Sequence, residues 1–335
     1  MITLRPPLQF SEIGSKPNQE DYIYPETPDA DSRVFILCDG MGGHERGEVA
    51  SSTVARTLGR NLSDIARTGQ EIDRKTFDDS LSQAYDALDR MPGSDSPRKP
   101  GTTLAALCFN SSSYLAAHIG DSRIYHLRPS LFDSEAGSNG IIYRSPDHSL
   151  VNDLVRAGQI TEEEARTHPR RNVITRAMQP GLEHRFEPTV RESADILPGD
   201  YFFLCSDGVL ERMSDSTLCE IIATPDLTDA EKMGRILALC NLGTRDNYSA
   251  ILIPVADITA PRKRNPYRLP LIILSLIILI ACGGIAAYYA GWLTPKDAAA
   301  PPSADSTAVT PPEAVGSPPV IDTIILSKPL VNDTL

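Results

Sequence analysis

From Leu269 to Pro295 the chain runs for 27 consecutive residues without a charge, most of it LPLIILSLIILIACGGIAAYYAGWL. A helix needs roughly 20 apolar residues to cross a bilayer, and a helix buried in a globular core is not normally apolar on every face. One transmembrane helix over residues 269–293 is therefore expected. Arg262, Lys263, Arg264 and Arg268 precede it, and Tyr288, Tyr289 and Trp292 close its far end. Basic residues collect on the cytoplasmic side and aromatic ones at the interfaces. The flanks thus predict a single pass of the cell (inner) membrane, with the N-terminal part cytoplasmic and the C-terminus outside.

That span divides the rest. Residues 1–261 form one domain, 262–268 a basic juxtamembrane linker, and 294–335 an extracytoplasmic tail rich in Pro, Ala, Ser and Thr. The tail has too few large apolar residues for a core and is expected to be disordered. Its last stretch, VIDTIILSKPLV, suits either a strand against a partner or a sticky, unstructured end. The first domain carries 26 basic and 39 acidic side chains, a balance that repels nucleic-acid phosphates and excludes DNA or RNA as the main partner. Cys38, Cys108, Cys205, Cys219, Cys240 and Cys282 lie in apolar stretches without CxxC spacing, which argues against disulfides and a zinc site. The N-terminus shows no basic start followed by an apolar run, so no secretory signal is expected there.

Within residues 1–261, VFILC (34–38), TLAALCF (103–109), YLAAHI (114–119), YFFLC (201–205) and SAILIPV (249–255) read as buried strands. Val54, Leu58 and Leu62, and Phe77, Leu81, Tyr85 and Leu88, recur at helical spacing. With joins such as IGDSRIY that resemble hairpins, the pattern predicts a mixed domain with largely antiparallel sheets. The stretch between Pro146 and Pro169 reads as one or two surface helices, with Thr161 and Glu164 in capping-box spacing.

Two apolar runs end alike: VFILC runs into Asp39-Gly40, and YFFLC passes through Ser206 into Asp207-Gly208. A single Asp-Gly is an ordinary turn; repetition at two strand ends is what draws notice. Asp121 in HIGDSR, Asp246 in TRDN and Glu20-Asp21 in NQED add further carboxylates, with only Arg123 and Arg245 as adjacent cations. Carboxylates that converge at a core edge need cations to offset their repulsion and desolvation. Oxygen ligands without His or Cys favour Mg²⁺ or Mn²⁺ over Zn²⁺, and two such ions can activate water for attack at phosphorus. No GxxxxGK[ST] loop occurs, so nothing points to use of ATP by the chain itself.

The ordered series NQED, CDGMGGHERGEVAS, GTTLAA, IGDSRIY, PDHSLVNDLVRAGQIT, HPRRNVITRAM, CSDG and TRDNYSAIL covers residues 10–255 and resembles the bacterial type 2C (PPM) protein phosphatases. The resemblance implies an α+β fold: a four-layer α/β/β/α sandwich of two antiparallel sheets flanked by helices, here with one transmembrane helix added. It implies a serine/threonine phosphatase that hydrolyses phosphoserine and phosphothreonine by a metal-activated water, with two Mn²⁺ or Mg²⁺ ions and a weaker third. Its partners would be phosphorylated proteins, a Ser/Thr kinase or that kinase's substrates.

Carried over by position, Asp39 would bridge the ions, the Gly40 carbonyl and Glu20 would serve one, and Asp207 and Asp246 the other. Asp21 would orient water. Asp121 suits a third-ion ligand with Asp207 or a hairpin-turn residue. Many relatives carry an arginine for the substrate phosphate where this chain has Lys16; a lysine attracts phosphate without the bidentate fork, so weaker substrate binding is expected. Met41 stands where some relatives place a histidine, and His44 suits a loop-stabilising role better than that of a general acid. Thr102 and Thr103 suit either hydroxyl support of the site or an ordinary strand start, and Arg170, Arg171 and Arg176 either a phosphoprotein contact or a solvated patch. A catalytically weak relative serving as a membrane signalling scaffold is the alternative, and it would normally lack a ligand, whereas Glu20, Asp39, Asp207 and Asp246 are all present.

Overall fold

A computed structural model of the protein describes residues 1–259 apart from 43–45, 93, 96, 134–136 and 171–172, and beyond them 280, 282–283 and 285–286. The chain divides into two units, Met1–Lys263 and Arg264–Leu335. The juxtamembrane linker, the tail and most of the expected span lie outside the described residues, as do His44 and Arg171. Among the described residues, no helix is long and apolar enough to cross a membrane.

Among the described residues, twelve strands make two antiparallel sheets. The first runs in the order β1 (Ile2–Leu4), β12 (Tyr248–Ile258), β11 (Tyr201–Cys205), β8 (Arg123–Asp133), β9 (Ser138–Arg144), with β2 (Leu8–Glu12) also paired to β12. The second runs β10 (Thr189–Ser193), β7 (Tyr114–Ile119), β6 (Leu104–Phe109), β4 (Val34–Met41), β3 (Asp21–Tyr24), with β5 (Gly101–Thr102) paired to β4.

Side-chain alternation explains the layering, because successive residues of a strand point to opposite faces. In β4, Val34, Ile36 and Cys38 pack with Val54, Leu58 and Leu62 of α1 (Gly47–Arg67) and Phe77, Leu81 and Leu88 of α2 (Arg74–Arg90). Phe35 and Leu37 point the other way and meet Phe202 and Leu204 of β11 and Ile251 and Ile253 of β12 between the sheets. Phe203, Cys205 and Leu252 pack outward against Leu218 and Ile222 of α6 (Asp215–Ala223) and Met233 and Ile236 of α7 (Asp229–Cys240). Three apolar layers thus separate four layers of helix, sheet, sheet and helix. Local chemistry fixes the helix starts: the Asp73 carboxylate accepts from Thr76 N–H at 2.8 Å ahead of α2, and Thr161 with Glu164 forms the expected capping box of α4 (Glu162–Thr167).

One reading of the sequence is corrected. IGDSRIY is not a hairpin, since β7 and β8 belong to different sheets. Both are already paired on each side, β7 with β6 and β10 and β8 with β11 and β9. Gly120–Ser122 therefore carries the chain across the sandwich, and Asp121 occupies a crossover instead of a hairpin turn.

Phe202 is fully buried between the sheets, stacked on His126 with ring centres 4.4 Å apart and meeting Tyr114 edge-on at 4.8 Å. Phe202→Ala is expected to cost about 3–5 kcal/mol of stability, read from the urea unfolding midpoint. An effect below about 1 kcal/mol would show that this layer does not hold the sheets together.

Candidate metal centre

The inter-sheet face changes character at one end. Ile23 and Asp21 on β3, and Leu37 and Asp39 on β4, share that face, and the strand register sets Asp21 directly opposite Asp39. On the facing sheet the same alternation carries Leu204 to Ser206 and Ile251 to Ser249. The apolar layer thus ends in two carboxylates and two hydroxyls.

Asp21 is buried, and its Oδ2 accepts from Ser206 Oγ–H at 2.8 Å, while Ser206 Oγ in turn accepts from Ser249 N–H at 3.0 Å. Two threonines fix the backbone of Asp39: its N–H donates to Thr103 Oγ1 at 2.9 Å, and its carbonyl accepts from Thr102 Oγ1–H at 3.0 Å and Thr103 N–H at 2.8 Å. Glu20 is placed by its main chain, with its carbonyl accepting from Gly40 N–H at 3.0 Å and Ser51 Oγ–H at 2.6 Å. Gly40 permits this approach, because a Cβ there would sit 2.3 Å from the Gly47 carbonyl oxygen and 2.7 Å from that of Glu20. Asp207 opens α5 (Asp207–Leu210) just past β11, and Asp246 directly precedes Asn247 and β12.

Electrostatics show that these groups converge. Burial, and then repulsion from Asp21, Asp207, Asp121 and Asp246, holds the Asp39 carboxyl well above the usual range. Burial raises Asp21 to about 7 against the pull of the serine hydroxyls, with Asp207 and Asp246 adding to the rise. Asp121 also rises to about 7 through burial and repulsion from Asp207 and Asp147, and Asp207 is raised by burial and Asp246.

Of the cations adjacent in sequence, Arg123 offsets the rise of Asp121 only in part, because its guanidinium grips Asp147 with two bonds of 2.7 Å. Lys16 does approach, with Nζ 2.6 Å from Asp246 Oδ1. The other end of β11 treats a buried carboxylate differently: Asp200 accepts from His126 and Arg128 at 2.9 Å. There the partners outweigh burial and the carboxyl is lowered.

The donor set fits hard divalent cations. It consists of oxygen alone, and Asp21, Asp121 and Asp207 each keep a buried Oδ1 without a hydrogen-bond partner. Such atoms carry a desolvation cost that a cation removes. Among the described residues no three His, Cys, Asp or Glu groups already form a coordination cage, so the centre is an open convergence of carboxylates. Mg²⁺-like ions, which keep several waters, suit that arrangement. Asp121, Asp207 and Asp246 line a cleft of about 1030 Å³ together with Ser149, Val151 and Asn152 of α3 (Leu150–Arg156) and its N-cap, and Glu162 of α4.

Sequence reasoning missed Ser206, Ser249 and Asn247. Asn247 Oδ1 accepts from Glu20 N–H at 2.9 Å, and its Nδ2 donates to the carbonyls of Ile13 at 2.8 Å and Asn18 at 2.9 Å. All three lie within CSDG and TRDNYSAIL, but Ser206 and Asn247 find partners at least 185 residues away in the chain and Ser249 reaches Ser206 43 residues back, so only the motif positions could have hinted at them.

The family model for protein phosphatase 2C matches residues 11–233. Protein phosphatase PhpP of Streptococcus pneumoniae is 32% identical over 257 residues, covering 74% of this chain and 96% of that protein. Serine/threonine protein phosphatase PstP of Mycobacterium tuberculosis is 35% identical over 246 residues, covering 72% of this chain and 43% of that one. The catalytic domain of a phosphatase PstP, solved in complex with two manganese ions, superposes with a TM-score of 0.60 at 31% identity, covering 77% of this chain and all of that domain.

A carboxyl raised by folding lends stability below its unfolded value, near 4, and loses it as pH rises through about 7. Without divalent ions, Asp21→Asn is therefore expected to melt above the wild type by a wide margin at pH 8 and by a much smaller one at pH 5, measured by calorimetry. A variant that melts lower at both pH values would show that the Asp21 charge is not the costly element.

Proposed function

The chain belongs to the protein phosphatase 2C family and is a serine/threonine protein phosphatase of that type; from that premise we propose that its carboxylate centre hydrolyses phosphoserine and phosphothreonine with two Mn²⁺ or Mg²⁺ ions. The observation that carries this reading is the meeting of Asp21, Asp39, Asp121, Asp207 and Asp246 at one end of the inter-sheet core, three of them with a buried oxygen lacking a hydrogen-bond partner. Asp39, Glu20 and the Gly40 carbonyl would hold one ion, and Asp39, Asp207 and Asp246 the other, with Asp121 and Asp207 offered to a weaker third. When bound, the ions supply Lewis-acid polarisation of the phosphoryl group and an acidified attacking water.

The chain's own groups do the rest. Asp21, steadied by Ser206, presents Oδ1 to accept a hydrogen bond and orient the water. Lys16 places an ammonium at the rim, where a substrate phosphate arrives. The cleft of about 1030 Å³ beside Asp207 and Asp246 would take the chain flanking a phosphorylated residue.

The physiological setting also belongs to this proposal: a single-pass protein of the inner membrane, its catalytic domain cytoplasmic, acting on phosphoproteins produced by a Ser/Thr kinase. The uncharged run 269–295 and its basic flank support it. The protein is expected to sediment with membranes and resist extraction by high salt or carbonate, yet yield to detergent; release by salt alone would remove the anchor.

For the chemistry, Mn²⁺-dependent phosphate release from a phosphothreonine peptide is the test. Asp39→Asn and Asp207→Asn should each lower it by at least about a hundredfold, on the order of 3 kcal/mol in the barrier. Undiminished release in either variant would contradict the assignment.

A further inference from the structure

The ammonium of Lys16 lies 2.6 Å from Asp246 Oδ1, a carboxylate assigned above to an ion. A lysine side chain is charged at neutral pH, so a full positive charge stands against this carboxylate.

The contact is built by the fold and is more than a chance surface pair. The loop carrying Lys16 is stitched to the segment carrying Asp246: Ser15 N–H donates to the Arg245 carbonyl at 3.1 Å, and Asn247 Nδ2 donates to the Ile13 and Asn18 carbonyls. Between them Gly14, at φ +62°, lies so close to the Asp246 carbonyl that a Cβ would sit 2.1 Å from its oxygen. Asp246 Oδ1 is held from its other side by Asn247 N–H at 2.9 Å. With both partners anchored, the ammonium is delivered to the carboxylate, while its side chain, 42% exposed, keeps room to leave.

Resting on the metal-dependent reading above, we infer that Lys16 is a tethered counter-cation that competes with the second divalent ion for Asp246 and so sets the affinity of that ion. An ammonium one carboxylate away repels a doubly charged ion whichever Asp246 oxygen the ion takes. Removal of the charge should tighten the ion, and its conservation as arginine should not.

The test is calorimetric titration of Mn²⁺ into the full-length protein in detergent micelles, as wild type, Lys16→Met and Lys16→Arg. Lys16→Met is expected to bind the weaker ion about tenfold tighter, with Lys16→Arg within about threefold of wild type. Equal or weaker binding by Lys16→Met would overturn the inference alone, because the ammonium would then be neutral toward the ion or would orient Asp246 for it. Absence of Mn²⁺ binding in every variant would overturn the proposed function as well.

Discussion

Carboxylates held against one another at the end of an apolar layer are the constraint on which the rest of this structure turns. Asp21 and Asp39 continue the alternation that places Ile23 and Leu37 between the sheets, so the strands that build the core also force the charges together. The packing that stabilises the sandwich thereby keeps the carboxyls from separating, and burial is the first cause of each raised pKa. A few kcal/mol is a large part of a domain's net stability, so such a site persists only when its surroundings over-determine it. They do so through Thr102, Thr103, Ser206, Ser249 and Asn247, which together tie together strand ends and loops distant in sequence.

The two ends of β11 show what the chain does with buried charge in each case. At Asp200 it supplies His126 and Arg128, and the group is lowered and structural. At Asp207 it withholds such partners, and the group is raised and left with an unmatched oxygen. Arg123 lies two residues from Asp121 and could have served, yet it is committed to Asp147 and so braces the start of the α3 segment instead. Withheld compensation of this sort is what a centre meant for an external cation requires.

The strands 34–38, 114–119 and 201–205 were legible because each is a continuous apolar run that ends in a polar turn, and α1 and α2 because their apolar residues repeat at helical spacing. The carboxylates at those strand ends were legible for the same reason, and so was their need for a cation. Which strands share a sheet was not legible from the runs themselves: β7 and β8 are joined by three residues and still lie in different sheets, since each finds both of its partners elsewhere. The contact between Lys16 and Asp246 was equally hidden. It depends on Gly14 and Asn247 closing two loops at opposite ends of the domain, and no local pattern encodes that.

The fold holds protonatable carboxyls in a place where a divalent ion would displace their protons. Calorimetry of Mn²⁺ binding at pH 6.5, in two buffers of different ionisation enthalpy, measures the protons released on binding. Net proton release is expected, because Asp21 and Asp121 are raised to about 7 before the ion arrives. Mn²⁺ binding with no buffer dependence would mean that the carboxyls are already ionised at that pH, and the picture of mutually raised, cation-requiring groups would be wrong.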